Sequence, residues 1–123
     1  MANVVITGST RGIGRGLAVE FLKRGHNVVV SSRRQADVDK AVSELSATGP
    51  AKVAGTSCDV TRKGDVQALW DLAVATFGRV DFWINNAGRA TSRYEVHEMP
   101  EEMVHTLVDG NFKGSVFGSQ VAI

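Results

Sequence analysis

The sequence predicts an α/β fold, a doubly wound parallel sheet with strand order 3-2-1-4 and helices on both faces. Three observations carry that expectation. Short β-branched runs alternate with segments of helical periodicity, a glycine-rich turn separates the first strand from the first helix, and 123 residues accommodate about four strand-helix units at roughly 30 residues each. Parallel strands need right-handed crossovers, and these set the spatial order. A complete sheet of this kind, two halves of three strands, takes about 180 residues, so the chain holds little more than one half.

Asn3-Val4-Val5-Ile6-Thr7 reads as a strand buried on both faces and stops at Gly8. Ile13, Leu17, Ala18, Phe21 and Leu22 then recur at helical spacing until Gly25. The pattern repeats, with a strand over Asn27 to Ser32 and a helix whose apolar face is Val38, Ala41, Val42 and Leu45, halted by Gly49-Pro50. Lys52 to Cys58 is a third strand interrupted by Gly55. Thr61 is placed to cap a third helix with Val66, Leu69, Trp70, Ala73, Val74 and Phe77 on one face and Gly78 at its end. Val80 to Asn85 is the fourth strand, and Gly88 to Glu98 is loop. Pro100-Glu101-Glu102 starts a last helix, with acids at its positive end. Trp70, Phe82 and Trp83 are expected in the core, and Cys58 as a small buried hydrophobe.

Composition narrows the function classes. Lys plus Arg number 14 against 13 Asp plus Glu, a net charge of +1, so no basic field is present to hold nucleic acid or an anionic membrane. The hydrophobic fraction of 43% and charged fraction of 22% are those of a packed globular chain. One cysteine makes no internal disulfide, and His26, His97 and His105 lack metal-ligand spacing, so neither an oxidising compartment nor a metal is expected. With no apolar run near the ~20 residues that span a bilayer and a strand pattern starting at Asn3, a cytoplasmic protein is expected.

Thr7-Gly8-Ser9-Thr10-Arg11-Gly12-Ile13-Gly14 lies between strand and helix. Glycines there permit a tight turn and close approach of a diphosphate, while the amides and dipole of the next helix attract it. The fingerprint Gly-x-Gly-x-x-Gly is absent, because Leu17 occupies the third position counted from Gly12 and Gly14; what stands is Thr-Gly-x-x-x-Gly-x-Gly. Asn85-Asn86-Ala87-Gly88 ends the fourth strand at the carboxyl edge, where open α/β sheets bind ligands.

Those two segments and Asp59-Val60, in this order and spacing, resemble the cofactor half of the short-chain dehydrogenase/reductase family over essentially the whole chain. The resemblance implies a Rossmann-type NAD(P)-binding domain over residues 1–123 and a nicotinamide cofactor. It implies a cofactor-binding turn from Thr7 through Ser9 to Gly14, with Gly8, Gly12, Ile13 and Gly14 at the phosphates. Asp59 and Val60 would lie at the adenine, and Asn86, Ala87 and Gly88 near the adenosine ribose. It also implies hydride transfer between the nicotinamide and a carbonyl or alcohol carbon of a small molecule, in a protein whose full-length form is a homo-oligomer.

Charge argues for which dinucleotide. An NAD site places an acid about 20 residues past the glycine turn, and that acid would repel the 2′-phosphate of NADP(H). Here the second strand ends Ser31-Ser32-Arg33-Arg34. With no acid after Ser32, Arg33 is able to fork onto the phosphate while Arg11 approaches from the glycine turn.

Asn111 lies on the last helix, where Val104, Val108, Phe112 and Val116 form an apolar row beside the glycine row Gly110, Gly114 and Gly118. Each interior glycine costs about 1 kcal/mol of helix propensity, which close packing must offset. By resemblance Asn111 is a catalytic position that orients a water. The family's other catalytic residues are a serine and Tyr-x-x-x-Lys, and the only tyrosine, Tyr94, is followed four residues on by Glu98. The chain is therefore expected to be a reductase truncated before the catalytic segment, and inactive by itself. The alternative is a non-catalytic dinucleotide-binding module. Among family members, Gly8 to Gly12, Thr56 to Val60 and Phe82 to Gly88 resemble chlorophyll b reductases, a similarity of low specificity for substrate.

Overall fold

The computed structural model describes residues 1–123. Four parallel strands, β1 (Asn3–Ile6), β2 (Asn27–Ser32), β3 (Val53–Ser57) and β4 (Phe82–Ile84), form one sheet in the order β3-β2-β1-β4. The helices between them are α1 (Gly12–Lys23), α2 (Gln35–Ser46) and α3 (Lys63–Phe77). This is the predicted α/β architecture and strand order.

Burial follows the pleat. Val4, Ile6, Val28 and Val30 pack on one face with Ala18 and Leu22 of α1 and Val38, Ala41 and Leu45 of α2. Val5 and Val29 point to the other face, where they meet Cys58 and Val66, Leu69 and Ala73 of α3. Successive side chains of one strand thus bury on opposite sides, which is why β1 and β2 are continuous apolar runs.

Asparagines tie the amino edge of the sheet. Asn27 Nδ2 donates to Asn3 Oδ1 (3.0 Å), Asn27 Oδ1 accepts from the Lys52 amide (2.9 Å), and Asn3 Nδ2 donates to the Arg79 carbonyl (3.1 Å). One buried network therefore holds the starts of three strands in register with the turn before β4.

The chain differs from the sequence expectation in four places. Ile13 is 79% exposed, because it stands on the outer side of the first turn of α1, whose inner side is taken by the buried Gly14. Thr61 does not cap α3; its Oγ1 donates to Asp59 Oδ1 (2.7 Å), and Arg62 occupies the cap position without a side-chain bond. The three-residue Asx turn from Asp59 to Thr61 competes for the hydroxyl and wins. Phe82 is 55% exposed and Trp83 only part-buried, since β4 is the sheet edge and a side chain there has a neighbour on one flank only; on α3, Val74 lies at the surface and Trp70 is part-buried, off the face that Val66, Leu69 and Ala73 turn to the sheet.

The last helix is the fourth difference. A short 3₁₀ turn, Val96–Glu98, precedes α4 (Glu101–Leu107), which passes through a π-helical turn at Val108–Lys113 into α5 (Gly114–Ala122). Of its two rows, the glycines face the body of the protein. A Cβ on Gly114 would lie 2.8 Å from Val60 Cγ2, and one on Gly118 would lie 2.7 Å from Trp83 Nε1 and collide with Asn85 Oδ1. The glycine cost is thus offset by close approach, and Val104, Val108, Phe112 and Val116 are left exposed, Phe112 by 67%.

Candidate functional site

The loops at the carboxyl ends of the strands enclose a cleft of about 480 Å³. Gly8, Arg11 and Gly12 line it after β1, Ser32 at the end of β2 and Arg33 just past it, Asp59 and Val60 after β3, and Asn86, Ala87 and Gly88 after β4. Residues singled out at four separated points of the sequence thus share one wall. The parallel arrangement brings all four strand ends to one edge.

The glycine turn is held from below. Ser9 is fully buried, its Oγ donating to the Ile6 carbonyl (2.7 Å) and accepting from the Ser31 amide (3.0 Å). Thr7 Oγ1 accepts from the amides of Asn86 (3.1 Å) and Ala87 (3.0 Å), and Asn86 Nδ2 donates to the carbonyls of Thr7 (3.0 Å) and Gly8 (2.9 Å). Thr7 and Ser9 therefore stand behind the cleft wall and join it to its neighbours. They do not face the cavity.

Each turn glycine has its own reason. Gly8 sits at φ +62°, and a Cβ there would lie 2.8 Å from Ala87 Cα. Gly12 at φ +61° has open space where a Cβ would stand, so an incoming group can approach its backbone. A Cβ on Gly14 would collide with the Gly8 carbonyl oxygen and lie 2.5 Å from Asn86 Nδ2. Contact between the start of α1 and the two turns, rather than the cavity, is what demands glycine at 14. Ile13 projects into solvent and, like Gly14, is not among the cleft-lining residues.

Charge in the cleft is uneven. Arg11 and Arg33 have no carboxylate within 4.0 Å, whereas Arg15, Arg24 and Arg79 are paired with Glu44, Glu20 and Asp81. Asp109 is engaged by Lys113 at 2.8 Å. Asp59 Oδ1 accepts from the Thr61 amide and hydroxyl. Cys58 also borders the cleft; burial pushes its thiol up to about 12, and the carboxylates of Asp65 and Asp59 add to the shift. The thiol is therefore neutral and inert near pH 7.

Arg89 lines the cleft from the loop after β4, and Thr106, Asp109 and Gly110 line it from the end of α4 and the π turn. Sequence reasoning missed them. Their signal was proximity to known landmarks, Arg89 directly after Gly88 and the others within five residues of Asn111. Asn111 itself is outside the cleft: its Oδ1 accepts from the Arg89 amide (3.0 Å), and its Nδ2 donates to the carbonyls of Arg89 (2.9 Å) and Leu107 (3.0 Å). A π turn removes carbonyls from the regular helical ladder, and the Asn111 side chain takes one of them.

The chain matches the family model for short chain dehydrogenase over residues 2–123. It is 39% identical over 137 aligned residues to a probable chlorophyll(ide) b reductase of Arabidopsis thaliana, covering 98% of this chain and 28% of that protein. It is 42% identical to a chlorophyll(ide) b reductase of Oryza sativa subsp. japonica, covering 98% of this chain and 36% of the relative. The crystal structure of an actinorhodin polyketide ketoreductase variant with NADPH superposes with a TM-score of 0.91 at 29% identity, covering 98% of this chain and 46% of that one. The chain thus spans about a third or less of these reductases and about half of the ketoreductase. Sequence match, strand order and turn chemistry agree: this chain belongs to the short-chain dehydrogenase family.

Proposed function

We propose that the chain is the dinucleotide-binding part of an NADP(H)-dependent oxidoreductase acting on a carbonyl or alcohol carbon of a small molecule. The observation that carries this reading is the pair Arg11 and Arg33, both lining one cleft beside the glycine turn and both without a carboxylate partner. Unpaired guanidinium groups in a cleft are poised for a phosphate, which they bind in a fork.

The residues present fit such a cofactor. Gly12 leaves its backbone open toward the cleft, and no side chain caps the amino end of α1, so its first-turn amides are free to meet a diphosphate. Arg11 and Arg33 would hold the 2′-phosphate, Ser32 lying beside them. Asp59 and Val60 would border the adenine, and Asn86, Ala87 and Gly88 the adenosine ribose. When bound, the nicotinamide supplies hydride chemistry. Asn111, by holding the Arg89 backbone, would position the loop on which the reacting end rests.

Proton transfer needs a tuned acid, worth typically about 10²–10⁴-fold, and Tyr94-Glu95-Val96-His97-Glu98 lacks the lysine that would tune a tyrosine. Activity is therefore assigned to a protein in which these residues are joined to a Ser and a Tyr-x-x-x-Lys segment, and the 123 residues alone are read as inactive. Among substrates, chlorophyll(ide) b is the first to assay, because relatives of that description are 37–42% identical. The single buried cysteine suits a reducing, cytoplasm-type compartment, although those plant relatives are described as chloroplastic. No helix is long and apolar enough to cross a membrane.

Calorimetric titration with NADPH and NADH tests the cofactor assignment. Tighter binding of NADPH by about tenfold or more is expected from a charge-assisted phosphate contact. Equal or tighter binding of NADH overturns it.

A further inference from the structure

The arginines of this chain divide by place in the fold. Arg15 and Arg24, on or beside α1, and Arg79, at the amino edge of the sheet, have carboxylate partners. Arg11, Arg33, Arg34, Arg62, Arg89 and Arg93 have none within 4.0 Å, and every one lies in a loop that follows the carboxyl end of a strand. A guanidinium left unpaired beside a cavity is a standing anion site. Arg11 and Arg33 are already assigned to a 2′-phosphate. Arg89 is not.

Arg89 is the one of the remaining four that lines the cleft. Its stem is packed: Cγ and Cδ lie 3.2 and 3.5 Å from where a Cβ on Gly110 would stand, so any larger residue at 110 would crowd it. Its backbone is clamped by Asn111 on both the amide and the carbonyl. The side chain is thus aimed by its neighbours while its charge is left free. The nearest acid in the lining along the chain, Asp109, is already engaged by Lys113.

Strand order says which anion it meets. In the sequence β3-β2-β1-β4, the glycine turn follows β1, Arg33 follows β2 on one side, and Arg89 follows β4 on the other. The geometry points to Arg89 as a side-chain ligand for the diphosphate of the bound dinucleotide, on the flank of the glycine turn away from Arg33. This rests on the cofactor reading above and extends it: Arg33 selects between dinucleotides, while Arg89 grips the group that both contain.

The test separates those roles. Arg89→Met keeps an unbranched stem against Gly110 and the backbone clamp but removes the charge; Arg89→Lys restores a point charge. On the intact protein, calorimetry should show Arg89→Met weakening NADPH and NADH alike by about tenfold, with the ratio between them and the melting temperature unchanged. Arg89→Lys should recover part of the loss, and binding of adenosine 2′-monophosphate should be unaffected. Unaltered affinity for both dinucleotides, or a loss confined to NADPH, overturns the assignment of Arg89 alone. Failure of the wild-type protein to bind either dinucleotide overturns the cofactor reading and this inference with it.

Discussion

Asn111 brackets Arg89: its Oδ1 accepts from the Arg89 amide at 3.0 Å, and its Nδ2 donates to the Arg89 carbonyl at 2.9 Å. One side-chain amide thereby replaces a backbone partner for an extended loop and ties it to the π turn, while its third bond, to the Leu107 carbonyl at 3.0 Å, anchors the amide to the end of α4.

Replacing that clamp should loosen the loop more than the fold. Asn111→Leu removes all three bonds, each worth about 1 kcal/mol net where solvent competes. Amide exchange at Arg89 should accelerate at least several-fold, with little change at Val5 or Val29. Unchanged exchange at Arg89 would show that the loop is held by something else.

Gly14 and Gly16 of α1 should respond in opposite directions. Gly14→Ala forces a Cβ into the Gly8 carbonyl and Asn86 Nδ2, and overpacking of this kind typically costs about 1–3 kcal/mol. Gly16→Ala meets nothing within 4 Å, and should stabilise by up to about 1 kcal/mol through helix propensity. Urea denaturation of the pair distinguishes contact from propensity.

Arg33→Asp should reverse the cofactor preference. The new carboxylate repels a 2′-phosphate and is able to accept from a ribose hydroxyl, so NADPH affinity should fall by tenfold or more on the order-of-magnitude scale of a charged hydrogen bond. NADH affinity should hold or rise. Titration with both dinucleotides reads the ratio directly, and an unchanged ratio removes Arg33 from the 2′-phosphate site.

Cys58 predicts a loss of stability in alkali. Its thiol is raised from 9.0 to about 12 in the fold, so between those values the native state retains a proton that the unfolded state has lost. Stability from this group is complete below pH 9, then falls as the pH rises toward 12. Wild type and Cys58→Ala compared by denaturation at pH 8 and above should differ in slope, the variant being flatter. Iodoacetamide should label Cys58 only on unfolding.

Edge exposure predicts association of the 123-residue chain. β4 has one neighbouring strand, Phe82 is 55% exposed, and the Val104, Val108, Phe112 and Val116 row is uncovered. An open strand edge with apolar flanks recruits other chains. Light scattering should report species larger than a monomer, and Phe82→Lys should reduce them. A clean monomer at high concentration would contradict this.

The elements and their order were legible in the sequence, for local reasons. β-branched runs that stop at glycine, helical spacing of Val38, Ala41 and Leu45, and the glycine turn between β1 and α1 each report a backbone preference within a few residues. The carboxyl-edge position of Asn86 to Gly88 followed from topology, because parallel strands present their ends together. The sequence also contained two rows on the last helix, Val104 to Val116 and Gly110 to Gly118, and periodicity favours neither as the buried one. Tertiary structure decided for the glycines, since Val60, Trp83 and Asn85 come within contact distance where no side chain fits. In the same way only the fold shows that Gly14 answers to Gly8 and Asn86, that Thr7 and Ser9 stand behind the wall, and that Arg89 enters the cleft. Each of these depends on groups brought together across the sheet from distant parts of the chain. A local pattern encodes what one segment prefers; which segments meet, and which side chain is left without a partner, is settled only when the strands pair.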